Sequence, residues 1–246
     1  MANTIIKADQ GVSESIVVTA FYKFYNEKNT TELQIKLKEL LNKNNILGTI
    51  LLANEGINGT ICGYRQNIDI FYDFVQNKIG DVIFKETYAE FSPFGKLKVK
   101  IKPEIVTIGI DLKSTPGEYI KPQDWDAAVL EKDTIVIDTR NDYEYYIGTF
   151  ANAVNPNTTA FRTFPDWIHN NLTEADKNKK ILMFCTGGVR CEKSTALMKD
   201  EGFNNVYHLE GGIIGYLIAK KDQPKTWKGN CFVFDERVII DENLKS

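Results

Sequence analysis

Three short, mostly apolar runs in the second half of the sequence constrain the fold more than any other feature. They are Ile135–Ile137, Ile181–Phe184 and Val206–Leu209, and a loop and a stretch with helical spacing follow each run. Apolar runs without alternation are typical of strands that are buried on both faces. Strands that alternate with helices form a parallel sheet covered by helices on both sides. The second half therefore predicts an α/β domain with a parallel sheet.

The first half predicts a domain of a different class, α+β. Strands and helices are expected in the order strand, helix, strand hairpin, helix, strand, strand, at 15–25, 30–41, 46–53, 57–63, 67–79, 85–91 and 96–102. This order is close to the ferredoxin-like arrangement βαββαβ. We therefore place an α+β domain at 1–105 and the parallel-sheet domain at 124–221.

Two further regions carry few apolar residues. Residues 106–123 contain Thr115-Pro116-Gly117 and Lys121-Pro122, so we predict an interdomain connection there. Residues 222–246 are expected to form a C-terminal tail, in which Cys231–Phe234 can add one short strand.

Charge and cysteine usage narrow the class of protein. The net charge is -3, so any contact with nucleic acid must come from a local basic patch. The four cysteines form no C-x-x-C pair, and we predict no metal site. Few cysteines indicate a reducing compartment. Because residues 1–10 lack the apolar core of a signal peptide and no stretch approaches the ~20 apolar residues of a membrane span, we expect a cytoplasmic protein without membrane contact.

The loop after the second apolar run has the composition of a reactive-thiolate site. It reads Cys185-Thr186-Gly187-Gly188-Val189-Arg190 and lies between a strand end and a helix start. Unpaired N–H groups and the helix dipole at such a place favour an anion and lower the pKa of a cysteine. The two glycines allow the backbone N–H groups to face inward, and Arg190 can close the rim. We therefore predict Cys185 as the nucleophile of a catalytic loop at 185–190.

The length of this loop favours sulfur over phosphate as the bound group. Loops that hold a phosphate dianion commonly run C-x5-R, whereas Cys185 and Arg190 form the shorter C-x4-R. The shorter loop suits a thiolate, or a sulfur chain attached to Cys185.

The second half resembles the rhodanese family over roughly residues 120–220. The resemblance rests on separated motifs that occur in order: Ile137–Arg140, Glu144, Gly148–Asn155, Cys185–Arg190 and Leu209–Gly212. It implies that Cys185 carries a persulfide. Family members often have a tryptophan shortly after the last glycine pair, where this chain has Tyr216.

A second resemblance, to the bacterial tRNA uridine(34) hydroxylase family, runs nearly end to end. It rests on Ile50–Thr60, Phe91–Phe94, Cys185–Lys193 and Trp227–Asp235. That family joins an acylphosphatase-like α+β domain to a rhodanese domain. The resemblance implies oxygen-dependent 5-hydroxylation of the wobble uridine, position 34, of tRNA. It also implies molecular oxygen as co-substrate, tRNA as a partner, and the expected fold of an acylphosphatase-like domain before a rhodanese-like parallel-sheet domain.

Some residues keep two interpretations at this point. Cys191 is either a resolving thiol for an oxidised Cys185 or a small packed residue at the helix start. Asp138 and Arg140 fit a structural, supporting role better than a catalytic one. Four lysines alternate with apolar residues along one predicted strand: Lys96, Lys98, Lys100 and Lys102. This pattern fits a solvated strand face better than a patch that binds the tRNA backbone, whose binding would be salt-sensitive.

Three functions compete: a tRNA hydroxylase that uses Cys185, a sulfurtransferase that carries a persulfide on Cys185, and a non-catalytic binding module. The intact Cys185 and Arg190 argue against the module. No cofactor is evident, because the sequence shows neither a dinucleotide fingerprint nor a metal-ligand cluster. The residues alone therefore predict sulfur or oxidised-sulfur chemistry, for which we expect a sulfur or redox donor protein as a partner. Only the resemblance predicts hydroxylation.

Overall fold

The protein is described by a computed structural model that covers residues 3–8, 15–221, 223 and 226–246. Parts of two predicted regions, the amino terminus at 1–10 and the beginning of the tail, lie outside the described residues. The chain divides into two compact units. One comprises the residues up to Val106 with 234–238 and 244–246, and the other comprises 107–233 and 239–243.

The first unit is a six-stranded mixed sheet with two helices. In chain order its elements are β1 (Thr4–Lys7), β2 (Ile16–Phe24), α1 (Thr30–Lys43), β3 (Leu47–Ala53), β4 (Gly56–Gly63), α2 (Arg65–Lys78), β5 (Ile83–Ala89) and β6 (Leu97–Ile101). The strand order is β1-β5-β2-β4-β3-β6. Elements β2 to β5 have the predicted βαββαβ order, which confirms the α+β class, while β1 is an edge strand that the sequence did not predict.

The core of the first unit forms between the two helices and the sheet. Apolar side chains three or four residues apart on each helix pack against inward-facing strand residues, including Leu37, Leu41, Ile68, Phe71, Val17, Phe21 and Phe84. Full burial of such a side chain stabilises the fold by roughly 1.5–3 kcal/mol. The helical spacing that predicted α1 and α2 is therefore the spacing of their buried faces.

The segment Asn54–Asn58, part of the resemblance to the hydroxylase family, has a structural role in this unit. Glu55 Oε1 accepts a hydrogen bond from the Ile105 N–H at 2.7 Å, and Asn58 Nδ2 donates to the Ile105 carbonyl at 3.0 Å. Gly56 has φ of 144°, and a Cβ there would lie 2.1 Å from the Lys23 carbonyl oxygen. The motif therefore holds the β3–β4 hairpin and ties it to Ile105, where the chain leaves the sheet after β6.

The second unit contains the predicted parallel sheet. Its elements are β7 (Glu118–Ile120), α3 (Pro122–Val129), β8 (Thr134–Asp138), α4 (Asp142–Ile147), β9 (Gly148–Phe150), β10 (Ala153–Val154), α5 (Phe164–Asn171), β11 (Lys180–Phe184), α6 (Val189–Asp200), β12 (Asn205–Leu209), α7 (Gly212–Ala219), β13 (Trp227–Gly229), β14 (Cys231–Phe232) and β15 (Ile239–Ile240). The sheet order is β10-β8-β11-β12-β7, and every pairing in it is parallel. The α/β class is confirmed.

The structure differs from the predicted boundaries at the connection and at the tail. Residues 118–120, predicted within the connection, form the edge strand β7, which pairs with β12. A three-residue strand is too short to show a periodic signal, so the sequence pattern missed it. In the predicted tail, β13 pairs with β9 and β14 pairs with β15, whereas 234–238 pack with the first unit.

Candidate active site

The predicted catalytic loop joins β11 to α6 at the carboxyl end of the parallel sheet. Gly188 adopts a left-handed conformation with φ of 100°, and α6 begins at Val189, within the predicted loop at 185–190. The turn brings the Gly188 N–H to 3.1 Å from Cys185 Sγ, to which it donates. The side chain of Cys185 is buried, with 1% of its surface exposed. The loop therefore holds its cysteine at the helix start, as the sequence predicted.

Helix α7 holds the opposite side of the loop. The N–H groups of Ile213 and Ile214 donate to the carbonyls of Cys185 and Thr186 at 3.0 and 3.1 Å. Gly212 makes this approach possible, because a Cβ there would lie 2.6 Å from the Cys185 carbonyl oxygen and 2.7 Å from the Gly188 nitrogen. Two loop carbonyls are thus held by backbone N–H groups of α7.

The surroundings of Cys185 favour its thiolate. Burial by itself raises the pKa of this thiol, but the Cys191 thiol, the Arg190 guanidinium and the N–H groups of Cys191 and Gly188 outweigh it and lower the pKa to about 6. At neutral pH the sulfur is therefore mostly an anion, and a thiolate is the nucleophilic form of cysteine.

Arg190 forms a buried ion pair with Glu144 of α4. Its Nη1 and Nη2 donate to the two carboxylate oxygens of Glu144, each at 2.7 Å. Thr186 Oγ1 donates to the same carboxylate at 3.2 Å. Burial raises the pKa of Glu144, but the Arg190 and Arg140 guanidinium groups and the Asn141 N–H lower it overall. Arg190 therefore acts on Cys185 from a fixed position beside the loop.

Cys191 lies in the first turn of α6 and is fully buried. Burial and the neighbouring Cys185 anion raise its pKa well above the usual range, so it remains a thiol that donates toward Cys185. Its Sγ also lies 3.7 Å from Thr139 Oγ1. This position suits a thiolate-stabilising donor and leaves the role of resolving thiol open.

Asp138 and Arg140 form a second buried ion pair, at the end of β8. Arg140 Nε and Nη2 donate to the Asp138 carboxylate at 2.8 and 2.6 Å, and Thr149 Oγ1 donates to it at 2.9 Å. The Arg140 guanidinium lies over the rings of Trp227 and Phe184, 5.5 and 5.8 Å from their centres. These contacts tie β8, β9 and β13 together, which favours a structural role for the pair.

The four lysines belong to the first unit, whereas the loop and its supporting residues belong to the second. Lys98 and Lys100 lie on β6 and Lys96 and Lys102 flank it, and all four side chains are exposed. β6 is an edge strand of its sheet. Lysines on an edge strand also discourage pairing with another chain, so their exposure fits both a solvated face and an RNA-binding patch.

Glu144 and Gly212 are central to this geometry, but the sequence pattern did not predict a site role for either residue. Their position in the rhodanese motifs was the signal that could have identified them.

Among the described residues no cluster of histidine, cysteine, aspartate or glutamate side chains is arranged to hold a metal ion. No helix in the described part of the chain is long and apolar enough to cross a membrane.

We predict that Cys185 titrates with a midpoint near pH 6. It is a thiol below this pH and a thiolate above it, so thiolate ultraviolet absorbance should rise through pH 6 in the wild type. The rise should disappear in Cys185→Ala, because burial raises the pKa of Cys62 and Cys231. Cys191→Ala should move the midpoint upward, since a donor to the thiolate is lost. A wild-type midpoint in the range of an ordinary thiol would contradict this assignment.

A second prediction concerns the support of the loop by α7. Gly212→Ala adds a methyl group against the loop at a φ of 65°, a conformation that costs a non-glycine residue ~1–2 kcal/mol. The displaced loop N–H groups should then let the pKa of Cys185 rise toward its usual range. Gly215→Ala is the matched control on the same helix, because the nearest atom to its Cβ is the Glu210 carbonyl oxygen at 3.3 Å. Equal titration curves for both variants would show that α7 does not set the loop geometry.

Several solved rhodanese-like structures are similar to part of the chain. The rhodanese-like domain of the Alr3790 protein from Anabaena sp. is 17% identical, covers 45% of this chain and 78% of its own, and gives a TM-score of 0.38. A rhodanese-like domain protein from Staphylococcus aureus is 25% identical over 40% of this chain and 90% of its own, with a TM-score of 0.34. A rhodanese-related protein from Thermoplasma volcanium is 22% identical over 44% of this chain and 95% of its own, with a TM-score of 0.33.

Two family models match the chain in succession. The UPF0176 acylphosphatase-like domain matches residues 16–105, and the rhodanese-like domain matches residues 117–219. The first match covers the mixed sheet with α1 and α2, and the second covers the parallel sheet with the Cys185 loop. The chain therefore joins a UPF0176 acylphosphatase-like domain to a rhodanese-like domain that follows it, the architecture that the resemblance to the tRNA uridine hydroxylases predicted.

Proposed function

We propose that the protein is a tRNA-modifying enzyme that hydroxylates carbon 5 of uridine 34 with molecular oxygen, using Cys185. The observation that supports this function is a thiolate-favouring Cys185 loop in a chain of the UPF0176 architecture. Because the substrate is tRNA, the proposed place of action is the cytoplasm.

The site suits chemistry on the sulfur of Cys185. The Gly188 N–H and the Cys191 thiol donate to the sulfur, which stabilises negative charge on a thiolate, a sulfenate or a persulfide. Burial of the side chain restricts water, which would otherwise hydrolyse a reactive sulfur species. Arg190 and Glu144 keep the loop in place during the reaction.

The overall balance of the reaction defines a further partner. One oxygen atom of O2 enters the C5–H bond of uridine, and the other leaves as water after it takes up two electrons and two protons. A thiol-containing redox or sulfur donor protein is the class of partner that can supply these electrons. No resident cofactor is part of the proposal.

A sulfurtransferase is the second candidate, favoured by the same loop in a rhodanese-like domain. The Cys185 thiolate would attack the outer sulfur of thiosulfate, so that a persulfide forms on Cys185 and sulfite leaves. An acceptor such as cyanide would then take the outer sulfur and release the thiolate. Rapid turnover in this assay that is lost in Cys185→Ser would favour this second function.

The hydroxylase function predicts a change in the nucleosides of cellular tRNA. A strain that lacks the gene should lose 5-hydroxyuridine, wild-type protein should restore it, and Cys185→Ala should not, as measured by mass analysis of tRNA nucleosides. Cys62→Ala is the matched control, because Cys62 is a buried thiol of the first unit.

Two outcomes of this experiment would count against the assignment. If Cys185→Ala restores the nucleoside as well as wild type does, Cys185 is not the reacting residue. If deletion leaves the nucleoside unchanged, the hydroxylase function itself fails.

The lysines of β6 give a prediction about tRNA binding. Lys98→Glu together with Lys100→Glu should weaken tRNA binding, and the slope of log affinity against log salt should fall by about one for each lost phosphate contact. Lys28→Glu with Lys38→Glu changes the net charge equally at exposed sites of the same unit and should have a smaller effect. Unchanged affinity at low salt in the β6 variant would make these lysines a solvated face only.

A further inference from the structure

The first unit has a cavity of about 240 Å³ at one end of its sheet. The floor of the cavity is apolar, because Ile16 and Cys62 are buried there and Leu47 packs against them. Pockets for drug-sized ligands measure roughly 300–1,000 Å³, so this cavity suits a smaller group. All the residues that line it belong to the first unit.

The cavity lies on the face of the sheet that the two helices do not cover. On β2, Val17 packs in the core beneath the helices, whereas Ile16 and Val18 belong to a second apolar cluster. Successive side chains of a strand point to opposite faces, so this second cluster is on the other face. Cys62 belongs to the same cluster, and the floor of the cavity is therefore part of that face.

Two exposed aromatic side chains also line the cavity. Tyr64 connects β4 to α2 and is 57% exposed, and Phe91 follows β5 and is 62% exposed. Single exposed apolar residues are common on protein surfaces, but two rings at one apolar cavity are typical of a binding site. Stacking on such a ring is worth roughly 1–3 kcal/mol for a nucleobase.

The polar groups of the cavity suit the edge of a base better than a phosphate. Asn45 and Glu90 are exposed and line the cavity, so a ligand meets an amide and a carboxylate there. A carboxylate accepts a hydrogen bond from the exocyclic amino group of a base and repels a phosphate. Ser92 is held in place, since its hydroxyl donates to the Phe94 carbonyl at 3.0 Å. A flat, neutral group with hydrogen-bonding atoms on its edge is therefore the ligand that fits.

A row of positive charge begins beside the cavity. β6 pairs with β3 in parallel, and the Gly48 N–H donates to the Lys96 carbonyl at 3.3 Å. Gly48 follows Leu47 of the cavity floor, and neighbouring strands are only ~4.8 Å apart. Since Val99 packs beneath the helices, the alternation along β6 directs Lys98 to the face that carries the cavity. A polyanion with one group in the cavity can thus continue along these lysines.

We propose that this cavity, the Tyr64–Phe91 pocket, holds one unpaired nucleobase of the tRNA substrate, while Lys96 and Lys98 contact the phosphates next to that base. This inference rests on the proposed function, because that function makes RNA the substrate. A basic row beside aromatic rings is the arrangement with which proteins bind single-stranded nucleic acid. The pocket binds the substrate and takes no part in bond making.

The test compares the affinity of the full-length protein for two fluorescent strands that carry the same phosphates. One is an unstructured RNA of about ten nucleotides, within the usual site size, and the other is an abasic strand of equal length. Wild type should bind the RNA about tenfold more tightly, because only the RNA has a base to stack. Phe91→Ala and Tyr64→Ala should each weaken binding of the RNA about fivefold and leave binding of the abasic strand unchanged.

Further variants separate stacking from a general apolar contact. Phe91→Tyr retains the ring and should bind like wild type, whereas Phe91→Leu should resemble the alanine variant. Ile35→Ala, at a side chain of α1 that is 51% exposed, is the control for a lost surface group and should bind both strands like wild type. Lys96→Gln should weaken binding of both strands equally and lower the slope of log affinity against log salt by about 0.7.

The pocket assignment is overturned if the alanine variants bind the RNA as tightly as wild type, or if they lose affinity for the abasic strand to the same extent. It is also overturned if Phe91→Leu binds the RNA as well as Phe91→Tyr does, or if the variants bind RNA normally and lose only the interaction with a donor protein. A wild-type protein that does not prefer the RNA over the abasic strand overturns it as well. None of these results decides the hydroxylase function, because the Cys185→Ala complementation tests that function separately.

Discussion

The buried ion pair between Arg190 and Glu144 is the interaction on which the candidate site depends. It joins the first turn of α6 to α4, and Thr186 of the loop donates to the same carboxylate. Removal of one partner from a buried pair typically costs about 3–5 kcal/mol, because an uncompensated charge remains in the interior. The pair therefore holds two helices and the loop in one arrangement around Cys185.

The same pair sets the kind of anion that the loop can stabilise. Both terminal nitrogens of Arg190 donate to Glu144, so the carboxylate offsets much of the guanidinium charge. The pKa of Cys185 is lowered by the Cys191 thiol, by the part of the Arg190 charge that Glu144 does not offset, and by two backbone N–H groups. Such an arrangement suits a singly charged sulfur species better than a phosphate dianion, in agreement with the short C-x4-R loop.

Local patterns in the sequence predicted much of this protein. Continuous apolar runs predicted the buried strands β8 and β11, and the glycine pair before Arg190 predicted the turn under Cys185. The pattern failed where a signal was too short or ambiguous. Glu118–Ile120 is too brief to show periodicity, and Val189–Cys191 extends α6 into a segment that also suits a loop.

The sequence by itself determined the class of each domain and the position of Cys185 between a strand end and a helix start, because strand burial, glycine turns and helix starts are properties of neighbouring residues. Tertiary structure alone decided that Arg190 bonds Glu144 and that α7 binds the loop carbonyls. Arg190 and Glu144 lie 46 residues apart in the chain. Contacts over such separations depend on how the helices pack around the parallel sheet, and no local pattern encodes that packing.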